Sequence, residues 1–126
     1  MKVAVIYCLA ALTIVSSPAG SANLLERHST FQQFGSGNSS CGTWIQARRQ
    51  PVRSYEREVV EAWVVGFLSG SNSIIVDQFE TDILAQKDAQ GLWAWIDNYC
   101  NAHPLTNIGT AANDLVFELA PKGGPH

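Results

Sequence analysis

The sequence has no surplus of positive charge: its 126 residues include eight Lys and Arg against eleven Asp and Glu, a formal net charge of -3. Without such a surplus the chain has little to offset the phosphates of a nucleic acid, so we do not expect nucleic-acid binding. Charged residues are only 15% of the chain and apolar residues 46%, which argues against wholesale disorder. The length fits one small domain.

The chain also lacks the residue patterns of common catalytic and metal sites. It has no GxSxG motif and no cluster of Cys and His ligands. Of its three histidines (His28, His103 and His126), only His103 falls at a predicted helix end, where a cation interacts well with the helix dipole. The acidic group Asp77, Glu80 and Asp82 lacks the glycine and terminal glutamate of a calcium loop. We therefore predict no enzyme activity, no metal site and no cofactor.

A local basic patch surrounds Pro51 and contains Arg48, Arg49, Arg53 and Arg57. Three acidic neighbours balance it: Glu56, Glu58 and Glu61. We interpret this patch as a solvated, salt-bridged surface in preference to an anion site. The glycine-rich stretch 35–40 (GSGNSS) has no GK[ST] and no preceding strand, so it is expected to be a linker and not a phosphate-binding loop.

The first 22 residues have the pattern of a secretory signal peptide. Lys2 supplies a positive start, residues 3–15 are an uncharged apolar run too short to span a bilayer, and residues 16–22 (SSPAGSA) offer small residues for cleavage. The alternative is a buried N-terminal helix, but no charged residue interrupts the run. Export predicts a periplasmic location, loss of Cys8 with the peptide, and no membrane insertion of the mature chain.

Cleavage leaves two cysteines, Cys41 and Cys100, from an odd total of three. In an oxidising compartment we expect them to form one disulfide that closes a loop of about 60 residues. A metal pair or a redox CxxC motif is the alternative, but no second cysteine lies near either one.

The residue pattern of the mature chain predicts an all-α bundle of three to four helices. The spacing of apolar residues predicts helices over 41–49, from a Ser54 cap to about 71, over 89–101 after an Asp88 cap, and over 106–119. Residues 71–87 are expected to be an extended connection because Ile74, Ile75 and Val76 favour strand. In domain terms, a flexible arm over 23–40 precedes a helical domain over 41–120, and a disordered tail follows over 121–126.

The second helix is expected to bury a broad face, which on a helical wheel comprises Val59, Val60, Trp63, Val64, Gly66, Phe67 and Gly70. We expect Gly66 and Gly70 to allow another helix to approach closely. Val65 falls outside this face. Together with Trp93, Trp95 and Phe117 it is a candidate protein-binding residue, because aromatic residues are enriched at protein interfaces.

Two short segments resemble the periplasmic HdeA/HdeB acid-stress proteins. Residues 41–45 (CGTWI) are similar to the first cysteine segment of that family, and residues 95–104 (WIDNYCNAHP) with Asn107 and 111–115 (AANDL) look like its C-terminal half. The resemblance implies a small helical bundle with a Cys41–Cys100 disulfide. It also implies an acid-stress holdase chaperone, in which low pH exposes apolar surface that binds unfolding clients. The segment after the first helix departs from the family pattern, because residues 50–57 are more basic.

A second resemblance is to periplasmic immunity proteins of type VI secretion, of the Rap/Tai kind. Residues 63–70 (WVVGFLSG) look like their glycine-containing helix, and His103, Pro104 and the apolar helix that follows resemble their ending. This resemblance implies an inhibitor that binds a cell-wall-degrading toxin at neutral pH. Cysteines that these proteins carry near Trp63 and at the C-terminus are absent here. Both resemblances make proteins the expected partners, either unfolded clients or a specific toxin, and a homodimer is a further candidate.

Overall fold

The computed structural model describes residues 32–122, and these form an all-α bundle. A 3-10 turn at Gly35–Asn38 precedes four α-helices: α1 (Cys41–Arg48), α2 (Tyr55–Phe79), α3 (Ala89–Ala102) and α4 (Ile108–Leu119). The predicted fold class is confirmed. The expectations for the signal peptide, Cys8, His28, residues 23–31 of the arm and residues 123–126 lie outside the described residues.

Each α-helix begins at a side chain that caps its first turn. Ser40, Ser54, Asp88 and Asn107 each accept a hydrogen bond from the backbone N–H three residues later. Such caps satisfy amide groups that have no partner within the helix, and each cap adds about 1 kcal/mol to the free energy of unfolding. The predicted starts at Ser54 and Asp88 are confirmed.

The largest departure from the sequence-based expectation is the length of α2. It does not end near Ser71 but continues to Phe79, so Ile74, Ile75 and Val76 are helical and not extended. The helix ends where Glu80 adopts a left-handed conformation, with φ of 52°. The returning chain supports the additional turns because the Asn72 carboxamide accepts a hydrogen bond from the backbone N–H of Ile83, at 2.9 Å.

The core lies between the four helices and contains the disulfide. Cys41 at the start of α1 is bonded to Cys100 near the end of α3, and both are fully buried. The largest other side chains that are fully buried come from all four helices: Trp44, Val64, Leu68, Ile96, Ile108 and Leu115. The predicted disulfide is therefore part of the central packing and ties α1 to α3.

Residues 32–40, which were predicted to belong to a loose arm, pack against the bundle. The Trp63 indole N–H donates to the Phe34 carbonyl at 2.9 Å, and the Ile108 amide donates to the Ser39 carbonyl at 2.9 Å. Gly37 is buried beneath the Trp63 indole, where a Cβ atom would collide with the ring. This segment therefore belongs to the folded domain.

We expect the paired substitution Cys41→Ala with Cys100→Ala to lower the free energy of unfolding by about 4 kcal/mol, since the disulfide shortens the unfolded chain by a loop of 59 residues. Urea unfolding followed by tryptophan fluorescence measures this loss. Wild-type protein reduced with dithiothreitol is the matched control and should lose a similar amount. Equal stability of the oxidised wild type and the double variant would contradict the prediction.

Candidate functional site

The most unusual polar feature of the described chain is an ion network between three helices. Arg48 on α1 donates two hydrogen bonds to Asp97 on α3, from Nε to Oδ1 and from Nη2 to Oδ2, each 3.0 Å long. Its third nitrogen, Nη1, is paired with Glu61 on α2. Arg57 reaches the same Glu61 oxygen at 2.7 Å. We call these four residues the Arg48 network.

Two indoles enclose the Arg48 guanidinium. Its central carbon lies 5.7 Å from the Trp44 ring centroid and 5.6 Å from that of Trp93. The Trp44 N–H donates to Asp97 at 2.7 Å, and the Trp93 N–H donates to the Glu61 backbone carbonyl at 3.3 Å. The rings shield the guanidinium from part of the solvent and add cation–π attraction.

Burial makes these interactions stronger than ordinary surface ion pairs. Glu61 is only 9% exposed, and it is the one charged residue in the buried set of the described chain. The pKa of Arg48 is raised, first by its hydrogen bonds to Asp97 and then by those to Glu61, although burial opposes this. A charge in such surroundings depends on keeping its partners, because an unpaired buried ion is costly.

The basic patch predicted around Pro51 is therefore divided by the fold. Arg48 and Arg57 point into the network, whereas Arg49 and Arg53 are exposed. The expected balance by Glu61 is confirmed, but the pairing lies in a half-buried contact and not on a solvated surface. The sequence analysis missed Asp97, which lies 49 residues from Arg48. A usable signal was the presence of the Trp44 and Trp93 indoles, whose N–H groups need acceptors when they are buried.

A second polar contact joins α3 to α4. The Tyr99 hydroxyl donates to Asp114 at 2.6 Å. The Tyr99 ring stacks on Trp95, with ring centroids 5.4 Å apart, and contacts the tilted His103 ring at 4.7 Å. Burial and the hydrogen bond to Asp114 raise the pKa of Tyr99 to about 12. His103 lies at the C-terminal cap of α3, as predicted, and its amide donates to the Tyr99 carbonyl at 2.9 Å.

The structure does not bring the four candidate binding residues together. Trp93 is held between α3 and α2 by its bond to Glu61, while Trp95 lines a groove of about 350 Å³ with Leu92, Leu115 and Leu119. Phe117 is 47% exposed on α4. Val65 is half-buried on α2.

The predicted inward face of α2 is confirmed in part. Val60 and Val64 are buried and Trp63 and Phe67 pack against the core, whereas Val59, Gly66 and Gly70 are exposed. A Cβ atom built on either glycine would meet nothing within 4 Å, so no other described helix approaches them. Each glycine costs the helix about 1 kcal/mol relative to alanine, and nothing within the described chain compensates.

The α2 helix is also long and apolar enough to cross a membrane, judged by length and composition alone. Its most apolar window has a mean hydropathy of 1.5, and 17% of that window is buried inside the structure. The core helix of a soluble protein passes the same test. What distinguishes this helix is that so much of its apolar length lies on the outside.

Among residues 32–122, no three His, Cys, Asp or Glu side chains are grouped so that they could hold a metal ion. In the acidic group of the connection after α2, Asp82 accepts hydrogen bonds from Asn72 and from the backbone of Leu84, both at 2.9 Å. Comparisons with family models, curated protein sequences and solved structures find no match. The argument for function therefore rests on the residues of this chain.

We expect Arg48→Met to lower the free energy of unfolding by about 2 kcal/mol, because Asp97 and Glu61 would lose their shared counter-charge. This figure is below that for a fully buried pair, since the Asp97 side chain is 31% exposed. Urea unfolding at neutral pH measures it. The control is Lys122→Ala, which breaks the exposed pair with Glu118 and should cost less than about 0.5 kcal/mol. Equal effects of both substitutions would contradict this account of the network.

Stability should also fall at alkaline pH because of Tyr99. Its pKa is raised from 10.0 to about 12 in the folded state, so its contribution is complete below pH 10.0 and is lost as the pH rises through about 12. Urea unfolding across this range measures the loss. The Tyr99→Phe variant should lack this part of the pH dependence, and identical profiles for both proteins would contradict the assignment.

Proposed function

We propose that this chain is an exported protein-binding protein that acts as a holdase for unfolding proteins at acid pH. The observation that carries the proposal is the Arg48 network, in which two carboxylates hold two guanidiniums between α1, α2 and α3. The proposal agrees with the resemblance of the cysteine segments to the HdeA/HdeB proteins.

Acid acts on this network asymmetrically. Acid removes the negative charge of carboxylates, whereas guanidiniums keep their positive charge. The two guanidiniums then face each other across neutral carboxyl groups, so the attraction that held them is replaced by repulsion. Lost attraction and new repulsion both weaken the contact between the three helices as the pH falls.

The disulfide determines which helix is free to move. Cys41 and Cys100 keep α1 bonded to α3, whereas within the described chain α2 is joined to these helices only by its flanking loops and by non-covalent contacts. Loss of the Arg48 network therefore favours separation of α2 from the α1–α3 pair. The surface that separation uncovers is apolar and includes Trp44, Val64 and Ile96, which are fully buried in the closed state. Such a surface can bind the apolar segments of unfolding clients.

The experiment measures light scattering by an acid-unfolded client protein at about pH 3, where carboxyl groups are largely protonated, with and without the mature chain. We expect suppression of scattering at acid pH and none at neutral pH. No suppression at acid pH would contradict the proposal.

A charge-neutralised variant makes the test specific to the network. Glu61→Gln with Asp97→Asn imitates the protonated state, so it should suppress client aggregation at neutral pH, where the wild type does not. Glu118→Gln removes an exposed carboxylate and is the matched control. Far-UV circular dichroism shows that the double variant keeps its helices. A helical double variant that is inactive at neutral pH would count against a role for these carboxylates.

A second candidate function is inhibition of a specific toxin at neutral pH, in line with the resemblance to Rap/Tai immunity proteins. It is favoured by the exposed apolar residues of α2, which are available in the closed state without acid. Stoichiometric capture of a cell-wall-degrading enzyme at neutral pH, with loss of that enzyme's activity, would support it. Protection of clients only at acid pH, with no such capture, would support the holdase instead.

A further inference from the structure

Residues 32–38, which we call the strap, lie against α2 and α4 and contain the 3-10 turn. One hydrogen bond ties the strap to α2, from the Trp63 indole N–H to the Phe34 carbonyl at 2.9 Å. The next anchor along the chain is Ser39, whose carbonyl accepts from the Ile108 amide at the start of α4. The strap is thus a short segment of chain that is seated on a surface formed by two helices.

The fit between the strap and this surface depends on positions without side chains. A Cβ atom at Gly37 would collide with the Trp63 ring, and one at Gly35 would lie 3.4 Å from Cδ1 of the same ring. On the α4 side, the Gln33 carboxamide occupies the space that a Cβ atom would need at buried Gly109. The strap therefore lies directly on the indole, and a side chain at position 37 would force the two apart.

The strap contributes little of the energy that holds the bundle together. Among residues 32–38 only Gly37 is buried, and the one large apolar side chain, Phe34, is 77% exposed. Glycine loses more conformational freedom on ordering than other residues, which further weakens the seated state. Segments with few buried apolar contacts open at a lower free energy than the whole domain. We therefore expect the strap to open while the four helices and the disulfide stay in place.

Opening of the strap uncovers an aromatic pair on α2. The Trp63 and Phe67 rings are stacked, with centroids 5.4 Å apart, and both side chains pack against the core. Opening also separates the Trp63 N–H from the Phe34 carbonyl, and a partly buried indole N–H needs an acceptor. The uncovered surface therefore combines apolar rings with a hydrogen-bond donor. A chain segment that has an apolar side chain and an accessible main-chain carbonyl matches both.

We propose that the strap is the intramolecular occupant of a peptide-binding surface on α2 and α4, and that an external segment with an apolar side chain displaces it. The incoming segment gives a main-chain carbonyl to the Trp63 N–H and packs its side chain on the Trp63–Phe67 pair. Only the open fraction of the protein binds, so the strap lowers the apparent affinity. The inference does not rest on the proposed holdase function, since it concerns neutral pH with the Arg48 network intact.

The test is fluorescence anisotropy of a fluorescein-labelled peptide that alternates leucine with glycine, titrated with the mature chain at neutral pH. Gly37→Val forces the strap from the indole, so this variant should bind the peptide at least about tenfold more tightly than the wild type. Phe34→Ala is the matched control, because it changes an exposed side chain of the strap and keeps the carbonyl; it should bind like the wild type. A Gly37→Val variant that binds no more tightly than the wild type would overturn the proposal.

A second substitution separates binding at this surface from general exposure of the core. Trp63→Phe in the Gly37→Val background keeps an aromatic ring and removes the N–H, so the peptide affinity should fall about fivefold. A partly unfolded bundle would bind the peptide without regard to one N–H, so equal affinities of the two proteins would overturn the proposal. So would flotation of Gly37→Val with phosphatidylcholine vesicles, or its self-association, in the absence of peptide binding.

Hydrogen exchange of the indole protons tests the opening in the wild type itself. Trp63 donates to the strap, whereas fully buried Trp44 donates to Asp97 at 2.7 Å, and the two N–H groups are chemically the same. By NMR at neutral pH, the Trp63 proton should exchange at least about tenfold faster, at a rate that low urea changes little, because opening of the strap exposes little surface. Equal rates with equal urea dependence would mean that the strap opens only with the whole bundle, and would overturn the proposal.

Discussion

The pairing of Arg48 with Glu61 and Asp97 constrains the rest of the structure. Charged side chains are rarely placed where three helices meet, because removing them from water is costly unless every donor and acceptor finds a partner. Here the two carboxylates accept from both guanidiniums and from the Trp44 indole N–H, and the Trp93 indole N–H donates to the Glu61 backbone carbonyl. This contact therefore needs α1, α2 and α3 to be correctly placed at the same time.

The rotation of α2 about its axis follows from this constraint. Glu61 must face Arg48, and at 100° per residue Gly70 then lies about 180° away, on the solvent side. A wheel drawn from apolar residues alone placed Val59, Gly66 and Gly70 in the core, because the helix is apolar over most of its circumference. Apolar burial alone would be nearly the same for several rotations of α2 about its axis, and the buried carboxylate of Glu61 decides between them.

Local signals predicted most of the fold, because helix caps and the spacing of apolar residues each act over a few residues. The Cys41–Cys100 bond joins residues 59 apart and was predictable because signal-peptide cleavage would leave a single pair of cysteines. The helix starts at Ser54 and Asp88 belong to the local class. The end of α2 does not, because a tertiary hydrogen bond from Ile83 to Asn72 supports residues whose own preference is for strand. The candidate site could be predicted from the sequence only in part. Arg48, Arg57 and Glu61 lie close together in the sequence, but Asp97 lies on another helix, 49 residues from Arg48.

The bundle is held by two kinds of bond that respond to different conditions. The disulfide joins α1 to α3 and does not depend on charge, whereas the Arg48 network joins α1 both to α2 and to α3 through ion pairs. Conditions that weaken the ion pairs therefore loosen the α1–α2 contact, while the α1–α3 contact stays covalently closed. The same helix that is bound inward by charge presents an uncharged face outward, so any movement of α2 also displaces that face.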